Sequence, residues 1–384
     1  MSIRTAYQEA TEAYQVPKLV RLGPNLYAAC FTLMKLIPAR YILRQAEQDG
    51  RLGPDTVIVE TTSGTFGLAL AMQAVHMDRR LILVSDPVID ERLYRRLVDL
   101  GAGVDRVPAS AREMPGGFQA ARLERLAQIT AEQRSAFCPE QYSNPDNPRS
   151  YATVAELLLE CLGQVDCVVG PVGSGGSMCG TVGYLRPVLP ECRAIGVDSY
   201  SSVLFGHPDG PRELRGLGMS LMPANVDHRV FDAVHWTTAP VAYAATRQLH
   251  RRHAVYMGPS SGAAYLAARW WAQANPDALT VVMLPDEGHR YQDTVYDDEW
   301  LRARGHSELR LPAEPVVVDD PTRPTGSWST YDWARRSYSQ VMAAGQVDLV
   351  RAPRASARAR SASGERPRAA RPEGRGPGWP RSGS

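Results

Sequence analysis

Two lysines, Lys18 and Lys35, stand among the 43 basic residues of this chain. Arginine replaces lysine readily on a solvated surface, but its guanidinium stays protonated and delocalised. A desolvated lysine amine, by contrast, loses its proton and can form an imine with an aldehyde. A lysine kept in so arginine-rich a chain is a candidate nucleophile, and Lys35 precedes the glycine-punctuated loop Thr61-Thr62-Ser63-Gly64-Thr65-Phe66-Gly67. That loop follows the β-rich run Thr56 to Val59 and leads into an apolar-periodic run from Leu68. Its amides therefore lie at a predicted helix N-terminus, where free N–H groups and the helix dipole favour a carboxylate or a phosphate. The hydroxyls of Thr62, Ser63 and Thr65 add donors.

Two further loops share this strand-to-helix setting. In Gly170 to Ser177, Gly173, Gly175 and Gly176 let the backbone approach a phosphate closely, while Ser174 and Ser177 offer hydroxyls. A dinucleotide site is the obvious competitor, because Asp198 ends the next β-rich run where a ribose-binding acid would stand. Met178, however, occupies the place of the third glycine, and a single-phosphate cradle fits better. The third loop, Gly258-Pro259-Ser260-Ser261-Gly262, follows the strand-like Ala254 to Met257 and satisfies the G-x-S-x-G nucleophile-elbow pattern. Asp286 and His289 come afterwards in serine-hydrolase order. An acid and a histidine on one short turn rarely reach opposite sides of an imidazole relay, and a hydrolase centred on Ser260 leaves Lys35 and the glycine loop without a use.

Three loops and a lysine in this order resemble the fold-type II pyridoxal-phosphate enzymes, specifically the cysteine synthase and cystathionine β-synthase group. The resemblance covers roughly Pro17 to Leu301. Lys18-Leu-Val-Arg-Leu22 looks like the family's opening strand, and Lys35 falls where the Schiff-base lysine is expected. Glu60-Thr-Thr-Ser-Gly-Thr-Phe-Gly67 corresponds to the substrate-carboxylate loop, which implies substrate contacts from Thr62, Ser63, Gly64 and Thr65. Gln141, within Pro139-Glu-Gln-Tyr-Ser-Asn-Pro-Asp-Asn-Pro148, matches a glutamine that helps bind that carboxylate. Gly173, Ser174, Gly175, Gly176 and Ser177 match the cofactor phosphate cup, and Ser260 matches the hydroxyl facing the pyridine nitrogen. The segment Leu284 to Trp300 is most similar to relatives that make diaminopropionate precursors. Thr65 stands where the family usually has an asparagine bonding the cofactor's ring hydroxyl, and the lysine's surroundings, Phe31 to Arg40, lack the usual glycine and polar residues.

What the resemblance implies is β-replacement on an activated L-serine through an aminoacrylate. The cofactor is pyridoxal 5'-phosphate, and Lys35 serves as imine partner and proton carrier. Leu214-Arg215-Gly216-Leu217-Gly218 lies where relatives border the substrate side chain. Arg215 there resembles the arginine of cysteine synthases that accept O-phosphoserine. Phosphate and acetate both stay open as leaving group, and sulfide, another thiol or an amine such as glutamate as nucleophile. The same fold also serves a β-elimination lyase or a regulatory protein that binds the cofactor without turnover.

The elements that must position these residues alternate. Between Asp55 and Pro285, β-rich runs at Thr56 to Val59, Leu81 to Ser85, Val104 to Val107, Asp166 to Val169, Ala194 to Val197, Ala233 to Trp236 and Leu279 to Leu284 are separated by stretches with helical spacing. This is an α/β pattern of parallel sheets flanked by helices. The resemblance implies a large cofactor-binding domain (residues 1–46 and 148–305) and a small mobile domain (47–147) that closes on substrate. A C-terminal extension follows (306–350). From Arg351 to Ser384 the nine arginines stand against Glu365 and Glu373, in a composition too poor in apolar residues to fold, so a disordered tail is expected. No apolar run is long enough to span a bilayer and the N-terminus is polar, so a cytoplasmic chain is expected. The six cysteines stand singly without C-x-x-C, which argues for reduced thiols and against a metal site. Outside the tail the charge is not basic, and nucleic acid is not an expected partner. A small amino-acid substrate, a small nucleophile and a second copy of the chain are.

Overall fold

The computed structural model describes residues 6–62, 64–113, 117–306, 308–323 and 325–347. Ser63 and the arginine-rich tail lie outside them. Twelve short strands form among these residues: β1 (Lys18–Arg21), β2 (Leu26–Cys30), β3 (Val57–Thr61), β4 (Leu81–Ser85), β5 (Gly103–Arg106), β6 (Ala136–Phe137), β7 (Cys167–Pro171), β8 (Arg193–Ser199), β9 (Ala233–Thr237), β10 (Thr280–Leu284), β11 (Val316–Val317) and β12 (Trp328–Asp332). They assemble into two sheets. The larger has the order β1-β2-β10-β7-β8-β9-β12-β11, and the smaller is β5-β4-β3-β6. The centre of the large sheet and the whole small sheet are parallel, with antiparallel pairs only at β1–β2 and β9–β12. Strands β3, β7 and β10 are buried along their entire length. That explains why they read as continuous apolar runs rather than as alternations, since helices cover both faces of a parallel sheet.

Two apolar layers sandwich the large sheet. One collects Tyr151, Val168, Phe205, Phe231 and Trp333, and the other Ile195, Val197, Tyr265, Val282 and Leu284. A third cluster serves the small sheet. It includes Leu36, Ala39, Ile42 and Leu43 from the helix Leu36–Gln48, packed with Ile58, Leu70 and Leu83. The sequence expectation places this helix in the large domain, yet its apolar face packs in the core that serves the small sheet. Lys35 therefore stands between the two sheets, after β2 of the large one and before a helix that packs on the small one.

The described residues beyond 306 contribute β11 and β12 to the large sheet. β12 pairs antiparallel with β9, Trp328 donates its indole N–H to His235 Nδ1 at 3.1 Å, and Trp333 meets Phe205 edge-on at 5.2 Å. Expected strands are found close to their predicted bounds, with one exception. Ala254 to Met257 is not a strand; only Met257 makes an isolated bridge, to Glu287.

Candidate active site

Every parallel strand here leads from its carboxyl end into a loop, and the loops after β2, β3, β7, β8 and β10 converge on one cavity of about 330 Å³. Such a crevice at the carboxyl edge is where open α/β sheets hold ligands. Lys35, Thr62, Gly64, Thr65, Gln141, Gly173, Ser174, Gly175, Ser177, Arg215 and Ser260 all line it. Gly176 lies just behind the wall, and Ser63 is outside the described residues.

Lys35 sits at the N-cap of the helix Leu36–Gln48 but spends no side-chain bond on capping. Its neighbour Met34 is fixed instead by a backbone bond to Pro285 O at 2.8 Å. The ammonium is thus free to enter the cavity, where Nζ donates to Ser174 Oγ at 3.3 Å. No carboxylate pairs with it among the described residues, and burial lowers its pKa from 10.5 to about 8. About a tenth of the amine is then neutral at pH 7, far more than for a solvated lysine, and imine formation needs the neutral form.

The loop from Gly173 opens the helix Gly176–Leu185, whose first amides cannot bond within the helix. Gly175 adopts φ +86°, the left-handed region, and a β-carbon on it would come 2.6 Å from Asn225 O. At Gly176 the close neighbour is Asn147, whose Nδ2 donates to Gln141 O at 2.6 Å and to Ser174 Oγ at 3.2 Å. Free amides, serine hydroxyls and two glycines crowded by Asn225 and Asn147 suit a phosphate monoester beside Lys35. Pyridoxal phosphate, an aldehyde carrying such a phosphate, fits this donor set.

Across the cavity, Gly64 precedes the helix Thr65–Met77 and its amide donates to Thr62 Oγ1 at 3.1 Å. Gln141 is buried and lines the cavity, with its backbone oxygen taken by Asn147 and Asn225. Ser260, 3% exposed, starts the helix Pro259–Ala274, and its hydroxyl has no hydrogen-bond partner among the described residues. A hydrolase centred on Ser260 does not survive this geometry. Asp286 reaches the cavity but accepts from Tyr291 Oη at 2.7 Å, while His289 lies edge-on to Tyr256 at 5.3 Å. No imidazole lines the cavity among the described residues, and the strand that should feed a nucleophile elbow is absent.

Sequence reasoning missed Arg122, Tyr142, Arg212 and Arg290, which also line the cavity. Arg212 is committed to its own loop through Ser201 O, Asp209 and Ser220. Arg122 approaches from the helix Gly117–Glu132 on the small sheet, paired with Asp86 at 3.3 Å, while its buried Nε lacks a partner among the described residues. Arg215 has neither hydrogen bond nor ion pair with a described residue. Tyr142 lies within the Pro139 to Pro148 motif, next to Gln141. Nothing in the sequence separates Arg122 from the chain's many other arginines.

Comparison with known proteins agrees with this arrangement. The chain is 37% identical over 289 residues to N-(2-amino-2-carboxyethyl)-L-glutamate synthase of Cupriavidus metallidurans, covering 73% of this chain and 84% of that protein. It is 30% identical to a cysteine synthase of Helicobacter pylori over 66% of this chain and 81% of that one. The crystal structure of an O-acetylserine dependent cystathionine β-synthase from Helicobacter pylori superposes with a TM-score of 0.69. That match has 25% identity and covers 75% of this chain and 98% of the other. Residues 34–286, which begin just before Lys35 and end at Asp286, match the family described as pyridoxal-phosphate dependent enzyme, and the chain belongs to that family.

Proposed function

We propose that this protein replaces the leaving group on the β-carbon of O-phospho-L-serine with the amine of L-glutamate. O-acetylserine and sulfide are the competing donor and acceptor. The observation that carries the reading is the charge of the cavity. Lys35, Arg122, Arg212, Arg215 and Arg290 line it, and among the described residues Asp286 is the one acid in the wall, engaged by Tyr291; Asp86 and Asp209, outside the lining, pair with Arg122 and Arg212, which leaves Lys35, Arg215 and Arg290 without such a partner. One phosphate monoester accounts for the glycine cup; the arginines beyond it suit further anions, a phosphorylated donor and a dicarboxylate acceptor. The relative from Cupriavidus metallidurans bears a name that describes glutamate joined through nitrogen to an alanine β-carbon, which supports the choice of acceptor.

Bound in the cup, pyridoxal phosphate would supply the electron sink for loss of the α-proton and departure of the β-substituent. The neutral amine of Lys35 takes the α-proton and returns it once the new bond has formed. Thr62, Ser63, Gly64, Thr65 and Gln141 would hold the substrate carboxylate, and Thr65 stands at the family's asparagine position. Ser260 would offer the cofactor's ring nitrogen a hydroxyl. A neutral partner of this kind would leave that nitrogen largely unprotonated and would favour expulsion of a β-leaving group over racemisation or transamination. Arg215 and Arg122, one from each lobe, receive the departing phosphate, so the lobe of residues 47–147 closes as they engage it and water is excluded. The reading includes a cytoplasmic homodimer; a monomer in sedimentation equilibrium would remove that part.

The test is a visible spectrum of the purified holoenzyme with O-phosphoserine and O-acetylserine added separately, followed by L-glutamate or sulfide and mass analysis of the product. The expected outcome is a spectral change with the phosphorylated donor and a glutamate adduct. Cysteine alone as product would reassign the acceptor. Pyruvate and ammonia as the only products would make the protein a lyase.

A further inference from the structure

Glu60 is a buried carboxyl group that the reaction above does not use. It lies at the penultimate position of β3, 2% exposed, and no cation pairs with it among the described residues. An unpaired carboxylate in such a place is costly unless hydrogen bonds satisfy it. Backbone amides do so here. Thr61 N donates to Oε1 at 2.8 Å, Gln141 N donates to Oε2 at 3.3 Å, and the Glu140 amide is directed at it as well. Glu140 adopts a left-handed φ of +53°, a backbone geometry that a non-glycine residue keeps only where its surroundings impose it. The carboxyl therefore ties together two segments distant in sequence, each of which puts a group at the substrate end of the cavity. From Gln141 the bonding continues through its carbonyl to Asn147, from Asn147 to Ser174 Oγ, and from there to Lys35 Nζ.

We propose that Glu60 is a positioning residue that clamps the Thr62–Thr65 loop and Gln141 into one substrate-carboxylate site, and that its ionisation controls how tightly that site binds. The proposal rests on the functional reading above. An ionised carboxyl can accept amides on both oxygens; a protonated one turns an O–H toward a donor and gives up part of the clamp. The titratable groups facing Glu60 are Glu140, Cys138 and Tyr142, with Arg122 one step further, beside Tyr142. Burial raises the pKa of Glu60 to about 7. The clamp is then about half formed near pH 7, strengthens as pH rises above it and weakens below it.

Glu60→Gln keeps the shape but sets an NH₂ group against one of the amides. In the holoenzyme the KM for O-phospho-L-serine should rise about ten-fold with kcat changed less than about two-fold, the pattern of lost ground-state binding. Titration of the wild-type visible spectrum with L-serine should show affinity rising more steeply from pH 6 to 8 than in Glu60→Gln. In wild-type holoenzyme, amide exchange at residues 61 and 141, corrected for its intrinsic pH dependence, should be slower at pH 8 than at pH 6. That measurement needs no variant. An unchanged KM, a loss confined to kcat and melting temperature, or equal protection at both pH values overturns the inference. A wild type that ignores every amino acid overturns the functional reading and this inference with it, whereas a responsive wild type matched by an equally responsive Glu60→Gln overturns this inference alone.

Discussion

Three neighbouring glycines in the phosphate cup differ in what a methyl group would meet, and alanine substitutions should separate them. At Gly173 the new carbon would stand 3.6 Å from Gly216 O, an ordinary contact, so Gly173→Ala should change stability by less than about 0.5 kcal/mol. At Gly175 the residue must hold φ +86° while its methyl meets Asn225 O at 2.6 Å, a backbone atom that cannot swing aside. The left-handed conformation costs about 1–2 kcal/mol and overpacking about 1–3 kcal/mol, giving about 3 kcal/mol in all. Gly176→Ala gains about 1 kcal/mol of helix propensity, but its methyl collides with the amide of Asn147, whose Cγ would lie 2.6 Å away. Asn147 is 1% exposed and holds Gln141 and Ser174, so its displacement breaks the bond to Ser174 and distorts the cup. Stability should fall by only about 1 kcal/mol, while cofactor affinity falls by about 2 kcal/mol, or roughly thirty-fold. Urea unfolding of the cofactor-free proteins and spectral titration with pyridoxal phosphate measure the two quantities separately. If Gly173→Ala unfolds as readily as Gly175→Ala, or Gly176→Ala binds the cofactor as tightly as wild type, the cup geometry is wrong.

Lys35→Ala should abolish the yellow colour and all turnover while leaving the cavity walls folded; residual turnover with added cofactor would remove Lys35 from the reaction. Because burial lowers the Lys35 pKa to about 8, capture of added pyridoxal phosphate by cofactor-free protein should accelerate as pH rises through about 8 and then level off. The same depressed value means the unfolded chain keeps that proton longer, so the cofactor-free fold gains stability between about pH 8 and 10; a capture profile inflecting near 10 would show a solvated lysine. Arg215→Ala and Arg122→Ala should each raise the KM for O-phosphoserine about ten-fold and leave that for O-acetylserine within about two-fold, in steady-state assays of both donors. Equal effects on both donors would reassign these arginines to the acceptor or to folding.

Much of the site was legible because its chemistry sits in loops with distinctive residues at the carboxyl ends of apolar strands. Lys35 stood out by scarcity, and the cup by glycines whose necessity the structure explains through Asn225 and Asn147. Arg122 was illegible because only the packing of the helix Gly117–Glu132 over the small sheet carries it to the cavity, and helical spacing does not reveal which solvent-side arginine will face another lobe. β2 escaped notice because Ala28 and Ala29, buried between neighbouring strands, carry little β signal. Ala254 to Met257 misled in the other direction. Its apolar residues pack without a neighbour to complete a ladder, since Gly258 turns at once to bond Asp286 O. The helix start at Leu68 was placed late, because glycine and hydroxyl residues open this helix beside the cavity and do not contribute to an apolar period.

The strand that carries the chain toward Lys35 is enclosed by β1 on one side and β10 on the other, with Thr280 paired to Leu26. A ribosome therefore delivers the lysine long before it delivers the wall against which that lysine stands. Until Thr280–Leu284 emerges, the early hairpin has an open flank and Met34 has no Pro285 carbonyl to grip. Prematurely terminated products ending before this point should be colourless and prone to associate through that flank, so vitamin B6 uptake during synthesis would report the moment β10 docks on the early hairpin.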